Sequence, residues 1–243
     1  MNPFNKSINT EEALLDLAKK TNNTYFLNYY NESNIKRKQF SIPINHLKID
    51  LSEKVFFDIG PGTGDSLLEA RKMGAKKLIA IDQNPFFAKL QKLRGVKTFH
   101  KNYTRRGPFK RRFFPKELFN IDFIWSKGAI NCVQVNDDMQ SLKGKLRNYL
   151  KFFDFQDWIE EIIEMLSPKG KFLFMPAVSQ QNKYINDTEY PVYTDYWVPN
   201  VAEYDESYFA KILLKKGFIR IKDIPKYNHP LAFPTAYLFE KDK

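Results

Sequence analysis

Cysteine is nearly absent: one residue, Cys132, in 243. That excludes an intrachain disulfide and a cysteine cluster for zinc, and a lone cysteine of this kind reads as a small core residue. No apolar run approaches the length of a membrane span. The opening residues Met1-Asn2-Pro3-Phe4-Asn5-Lys6 lack the apolar core of a signal peptide. The expected location is therefore the cytoplasm. Histidine is limited to His46, His100 and His229, so few side chains are suited to proton transfer near neutral pH. Glycine is sparse as well, ten residues in all, yet three of them fall at alternate positions between Gly60 and Gly64. The third glycine of a G-x-G-x-x-G dinucleotide fingerprint would have to fall at Asp65 or Leu67, and it does not. No Gly-Lys-Ser/Thr follows either, which excludes the phosphate loop of nucleoside triphosphate enzymes.

What is present is the run Val55-Phe56-Phe57-Asp58-Ile59-Gly60-Pro61-Gly62-Thr63-Gly64. Apolar residues lead into a glycine turn, which is how a buried strand ends where a ligand approaches the backbone closely. A helix is expected from Asp65 to Met73, closed by Gly74. A second apolar run ends at Asp82, and strand, glycine turn, helix and acid together make a nucleotide-type binding site.

The rest of the chain alternates in α/β fashion. Thr10-Glu11-Glu12 opens a helix with Leu14, Leu17 and Ala18 on one face, and a polar, tyrosine-bearing stretch runs from Asn22 to Lys38. Strands are expected at Val55–Ile59, Lys77–Asp82, Val96–His100, Ile121–Ser126 and Lys171–Ala177. Two more, Phe218–Ile224 and Ala236–Glu240, are close in sequence and should pair antiparallel. A helix from Gln156 to Leu166 carries Ile159, Ile162, Ile163 and Leu166 at helical spacing, and Ser167-Pro168-Lys169-Gly170 stops it. Another helix is expected over Asp205–Lys216.

The pattern D-x-G-x-G-x-G from Asp58 to Gly64 resembles motif I of the class I S-adenosylmethionine (SAM) methyltransferases. Ile121-Asp122-Phe123-Ile124-Trp125 resembles the family's strand-four signature. Leu166-Ser167-Pro168-Lys169-Gly170-Lys171 resembles the turn before strand five, where Leu-x-Pro-Gly-Gly is usual, and Leu213-x-x-x-Gly217-Phe218 the turn into strand six. The resemblance implies a Rossmann-like three-layer α/β sandwich with a mostly parallel seven-stranded sheet and an antiparallel last strand. It covers residues 53–243, with residues 1–52 a helical cap and substrate-loop insertions near 104–120 and 179–204.

By the same resemblance SAM is the cofactor and S-adenosylhomocysteine the product. Asp58, Gly60, Pro61, Gly62, Thr63 and Gly64 would wrap the methionine end. Asp82 would accept both ribose hydroxyls, at about 1.5–3 kcal/mol for each hydrogen bond to a charged acceptor. Gln83 would face the adenine, Asn102 would stand where the family has an acid toward the adenine amino group, Tyr103 would stack on the ring, and Ser126 would close the site after strand four.

The acceptor is narrowed by absences. The loop Ser126-Lys127-Gly128-Ala129 lacks the Asn/Asp-Pro-Pro-Tyr/Phe of exocyclic-amine nucleic-acid methyltransferases. There is no Pro-Cys nucleophile, no paired glutamates for arginine methylation and no carboxylate cluster for magnesium. The loop resembles that of small-molecule O- and N-methyltransferases. Net charge is +11. Between Thr104 and Asn120 six bases face one acid, and Arg105, Arg106, Lys110, Arg111 and Arg112 fall within eight residues. Arginine grips phosphate or carboxylate through a planar fork, so Arg105, Arg106, Arg111 and Arg112 are expected to bind an anionic substrate. The preferred acceptor is a phosphorylated, nucleotide-linked or glycan-precursor small molecule. RNA held through its backbone and a non-catalytic SAM-binding protein stay open. Tyr184, Tyr190, Tyr193, Tyr196 and Trp197 suggest a water-excluding wall over the substrate, with Tyr193 and Trp197 in contact with it. His100, His229 and His46 are the candidate bases, and no metal is called for.

Overall fold

The structure is a computed structural model that describes residues 8–103, 112–127, 155–175, 208–225 and 236–242. The chain forms two compact units, Met1–Lys101 and Asn102–Lys243.

The first unit opens with α1 (Glu11–Lys20), α2 (Thr24–Asn31) and α3 (Ser33–His46). Thr10 caps α1 by accepting from the Ala13 amide at 3.2 Å, and Asn23 caps α2 by accepting from Phe26 at 3.1 Å. These caps satisfy donors that the first turn of a helix leaves unpaired. The polar stretch Asn22 to Lys38, expected to lie within the helical cap but with no helix of its own delimited, is mostly helical. Phe26, Tyr29 and Tyr30 supply its inward face at helical spacing, and the intervening asparagines dilute that signal. Parallel strands β1 (Val55–Ile59), β2 (Lys77–Asp82) and β3 (Lys97–His100) follow, linked by α4 (Asp65–Lys72) and α5 (Pro85–Leu93). Phe56, Phe57 and Ile59 are wholly buried, as a parallel strand covered on both faces requires. Asn84 caps α5 by accepting from Phe86 and Phe87, with Pro85 in the first turn. Leu14, Ala18 and Phe26 pack with Phe86, Phe87 and Leu90 in one apolar cluster, so α1 and α2 share a core with α5.

The second unit holds β4 (Ile121–Lys127), α6 (Phe155–Met165), β5 (Leu166–Met175), α7 (Tyr208–Lys215), β6 (Ile219–Ile221) and β7 (Ala236–Glu240). Strand five begins at Leu166 rather than Lys171. Leu166 pairs with Ile121, the Ser-Pro-Lys-Gly turn bulges out, and pairing resumes at Lys171 with Phe123. Gly170 is required there, because a Cβ would lie 2.8 Å from the carbonyl oxygens of Ile121 and Ser167. Lys169 occupies the preceding position with φ of 59°, the left-handed region that favours glycine. β7 runs antiparallel to both β5 and β6, as the sequence implied. The seven strands run in the order β3-β2-β1-β4-β5-β7-β6. Among the described residues no helix is long and apolar enough to cross a membrane.

Candidate functional site

The glycine turn joins β1 to α4. Gly60, Gly62 and Gly64 have φ of 70°, 58° and 81°, where a Cβ would strain the backbone. The turn is tied to its neighbours by its own amides. Gly60 N–H donates to the Ile81 carbonyl at 2.9 Å, and Gly64 N–H to the Pro61 carbonyl at 3.0 Å. Gly62 N–H reaches across to Asp82 Oδ2 at 3.1 Å. The turn and the acid at the end of β2 thus form one hydrogen-bonded unit, which the sequence placed together only by pattern.

Asp82 is buried. Besides Gly62, its carboxylate accepts from the Asn84 amide at 2.8 Å and from Gln91 Nε2 at 3.3 Å. Burial pushes its pKa up to about 7, against the pull of these donors and of the Gln83 amide. Asp58 is also buried and accepts from the Ser66 hydroxyl. Burial raises it to about 8, opposed by Ser66 and assisted by repulsion from Asp82. Two buried acids side by side therefore lean toward the neutral form, and a ligand that donates hydrogen bonds shifts that balance. Asp58 lies beneath the turn and braces its exit through Ser66 on α4.

Gln91 is a site residue that the sequence reading missed. Its amide donates to the Gly62 carbonyl at 2.7 Å and to Asp82, so one side chain clamps turn and acid together. Both neighbours are acceptors, which fixes the amide orientation and leaves Oε1 buried without a partner. The available signal was a polar residue within the apolar stripe of Phe87, Leu90 and Gln91. Arg94, which caps α5, was missed too; its Nη1 donates to the Thr63 carbonyl at 2.8 Å. Pro61 and Thr63 lie in the turn as expected, and the Thr63 hydroxyl donates to Asp65 at 2.6 Å.

The remaining expectations divide. Gln83 offers its carbonyl to a ring nitrogen of His100 at 3.2 Å. His100 is exposed at the end of β3, and His46 is exposed at the end of α3. Asn102 is exposed after β3. Tyr103, expected to stack on adenine, is instead 2% exposed and packed in the core, with its carbonyl accepting from Trp158 at 3.2 Å. Ser126, at the end of β4, is fully buried, and its hydroxyl has no hydrogen-bond partner. Arg112, expected to grip a substrate anion, is held by Glu161 at 3.2 Å and Glu164 at 3.3 Å. Glu161 also accepts from the amides of Phe113 and Phe114, each at 2.8 Å. It anchors the chain as the basic segment ends, and Arg112, still partly exposed, is paired to it at the surface. Arg105, Arg106, Arg111, Tyr193, Trp197, His229 and Cys132 lie outside the described residues.

Strand order, the antiparallel β7 and the glycine turn at the end of β1 are those of the class I SAM-dependent methyltransferase fold. Solved structures bear this out. The chain is similar to a TehB-like SAM-dependent methyltransferase of Corynebacterium glutamicum, at 11% identity over 93% of this chain and all of that one, with a TM-score of 0.53. It is similar to a SAM-dependent methyltransferase of Thermotoga maritima, at 14% identity over 90% of this chain and 97% of that one, with a TM-score of 0.53. It is also similar to the Haloferax volcanii methyltransferase solved with the Trm112 activator, at 13% identity over 88% of this chain and 93% of that one, with a TM-score of 0.55. No protein-family model and no curated protein matches the sequence.

Proposed function

We propose that this protein is a SAM-dependent methyltransferase that methylates an oxygen or nitrogen of a small anionic molecule. The observation that carries the cofactor reading is the single unit formed by the glycine turn and Asp82, joined by the Gly62 amide and braced by Gln91. Its donor set suits the cofactor. An ionised carboxylate offers about four lone-pair sites. Gly62, Asn84 and Gln91 donate to three of them and the Gln83 amide also favours the charged form, so a ribose hydroxyl would share the carboxylate with these donors. Gly60, Gly62 and Gly64 hold positive φ, a backbone path that lets the turn present its peptide groups to the methionine end. Gln83 and Asn102 are the adenine-side residues in this reading.

When bound, SAM supplies an electrophilic methyl on a sulfonium. The protein's own part is to hold turn and acid rigid, exclude water and align the acceptor; orientation of this kind supplies about 7–11 kcal/mol of the barrier. His100 pairs in register with Asp82 on the neighbouring strand and is the base candidate in this reading. The anionic acceptor rests on the cluster Arg105, Arg106 and Arg111, with Arg112 reserved as an anchor. Calorimetric titration with S-adenosylhomocysteine tests the cofactor, and absence of binding refutes the reading. Labelling a metabolite extract with radioactive SAM tests the acceptor. Label in RNA, with binding that falls steeply as salt rises, would replace the small molecule by nucleic acid.

A further inference from the structure

The glycine turn is held from outside by the N-terminal helices. Arg94 donates through Nη1 to the Thr63 carbonyl at 2.8 Å. Its Nε and Nη2 grip both oxygens of Glu11 on α1, each at 2.9 Å. This bidentate pairing is the strong, directional kind. Glu11 also accepts from the Tyr30 hydroxyl at 3.2 Å, and the Arg94 guanidinium lies 5.7 Å from the Tyr30 ring centre. The Arg94 hydrogen bond holds the Glu11 carboxyl below its ordinary range, against burial. Two neighbouring positions are held from the same side. A Cβ on Gly62 would stand 3.4 Å from the Tyr29 ring. Asp65 accepts from the Ser33 hydroxyl and lies 3.6 Å from Arg37 Nε.

Thr63 sits between two glycines, where the backbone is least restricted by sterics. The peptide from Thr63 to Gly64 is nevertheless fixed at both ends, its carbonyl by Arg94 and its N–H by the Pro61 carbonyl. Without Arg94 that peptide plane could rotate, and the turn would have to be ordered at the expense of ligand binding.

We infer that α1–α3 are a working part of the cofactor turn, and that Glu11 and Arg94 are positioning residues that set its shape through the Thr63 carbonyl. The inference rests on the cofactor reading above. Coupling of this kind is reciprocal, so a ligand that needs the ordered turn also tightens the clasp on α1.

The test uses the full chain with S-adenosylhomocysteine as probe, in wild type, Arg94→Met, Arg94→Lys and Glu11→Gln. Arg94→Met is expected to bind about fivefold more weakly or worse, the loss of roughly one hydrogen bond's worth of preorganisation. Arg94→Lys should recover part of that loss. Glu11→Gln, the mildest change, should weaken binding about two- to threefold and decides the matter if Arg94→Met does not fold. Amide exchange over residues 11–20 should slow when the probe binds. A brace that is only structural would lower the melting temperature and leave the affinity of the folded protein unchanged. Folded variants with wild-type affinity, or exchange in α1 that ignores the probe, overturn the inference alone. A wild-type chain that does not bind the probe overturns the cofactor reading and this inference with it.

Discussion

Asp82→Asn should raise stability at alkaline pH while weakening cofactor binding. The folded carboxyl titrates near 7 against an ordinary value of 3.8. A raised carboxyl binds more protons in the folded than in the unfolded state, so its contribution is greatest below pH 4 and is lost as pH rises through 7. Between pH 5 and pH 7 the slope is about 1.4 kcal/mol per unit, so roughly 3 kcal/mol of wild-type stability disappears. Asparagine keeps the shape and carries no charge, and so removes this slope. Its own cost is one mispaired donor. The Gly62 amide and Gln91 face one oxygen and the Asn84 amide faces the other, so the new NH2 group must oppose at least one of them, at about 1–3 kcal/mol. The variant should therefore be similar to or less stable than wild type at pH 5. Relative to wild type it should gain about 3 kcal/mol by pH 8. Relief of repulsion on Asp58 acts in the same direction. Urea denaturation of both proteins at the two pH values measures this. Ribose hydroxyls favour the ionised carboxylate, so wild-type affinity for S-adenosylhomocysteine should rise from pH 6 to pH 8. The variant should bind at least tenfold more weakly at pH 8, with no such rise. Parallel stability profiles, or unchanged affinity, would refute the reasoning.

Lys169→Gly should stabilise the fold by about 0.5–1 kcal/mol, because leaving the left-handed region to glycine relieves about 1–2 kcal/mol of strain against a smaller entropic cost; a lower denaturation midpoint would count against it. Glu161→Ala leaves the buried amides of Phe113 and Phe114 without an acceptor and should cost about 2–5 kcal/mol by urea denaturation, whereas a loss below about 1 kcal/mol would show that the anchor is dispensable. Charge reversal at Arg105 and Arg106 should raise the KM for an anionic acceptor with S-adenosylhomocysteine affinity unchanged; an unaltered KM would remove the basic segment from substrate recognition.

Local chemistry made the glycine turn, the acid after β2 and the strand–helix alternation legible in the sequence. Backbone conformations that need glycine, and strands buried on both faces, leave their marks within a few residues. The pairing of the last strands was equally readable, because the elements adjoin. Tertiary structure alone decided what holds the site. Arg94 meets Glu11 across 83 residues and Glu161 meets the Phe113 amide across 48, and no periodicity connects such partners. It also decided that Tyr103 is core and that Arg112 is an anchor, since exposure and partner choice depend on packing that residue type does not encode. The N-terminal helices illustrate both halves. The first was legible from Thr10-Glu11-Glu12 and its apolar face, whereas the asparagines around α2 blurred its bounds and its buried aromatic face becomes readable only against α5. The sequence by itself determined where a ligand must approach the backbone, since only glycine adopts that turn without strain; the fold determined which distant side chains keep the turn in shape, since only packing brings them to it.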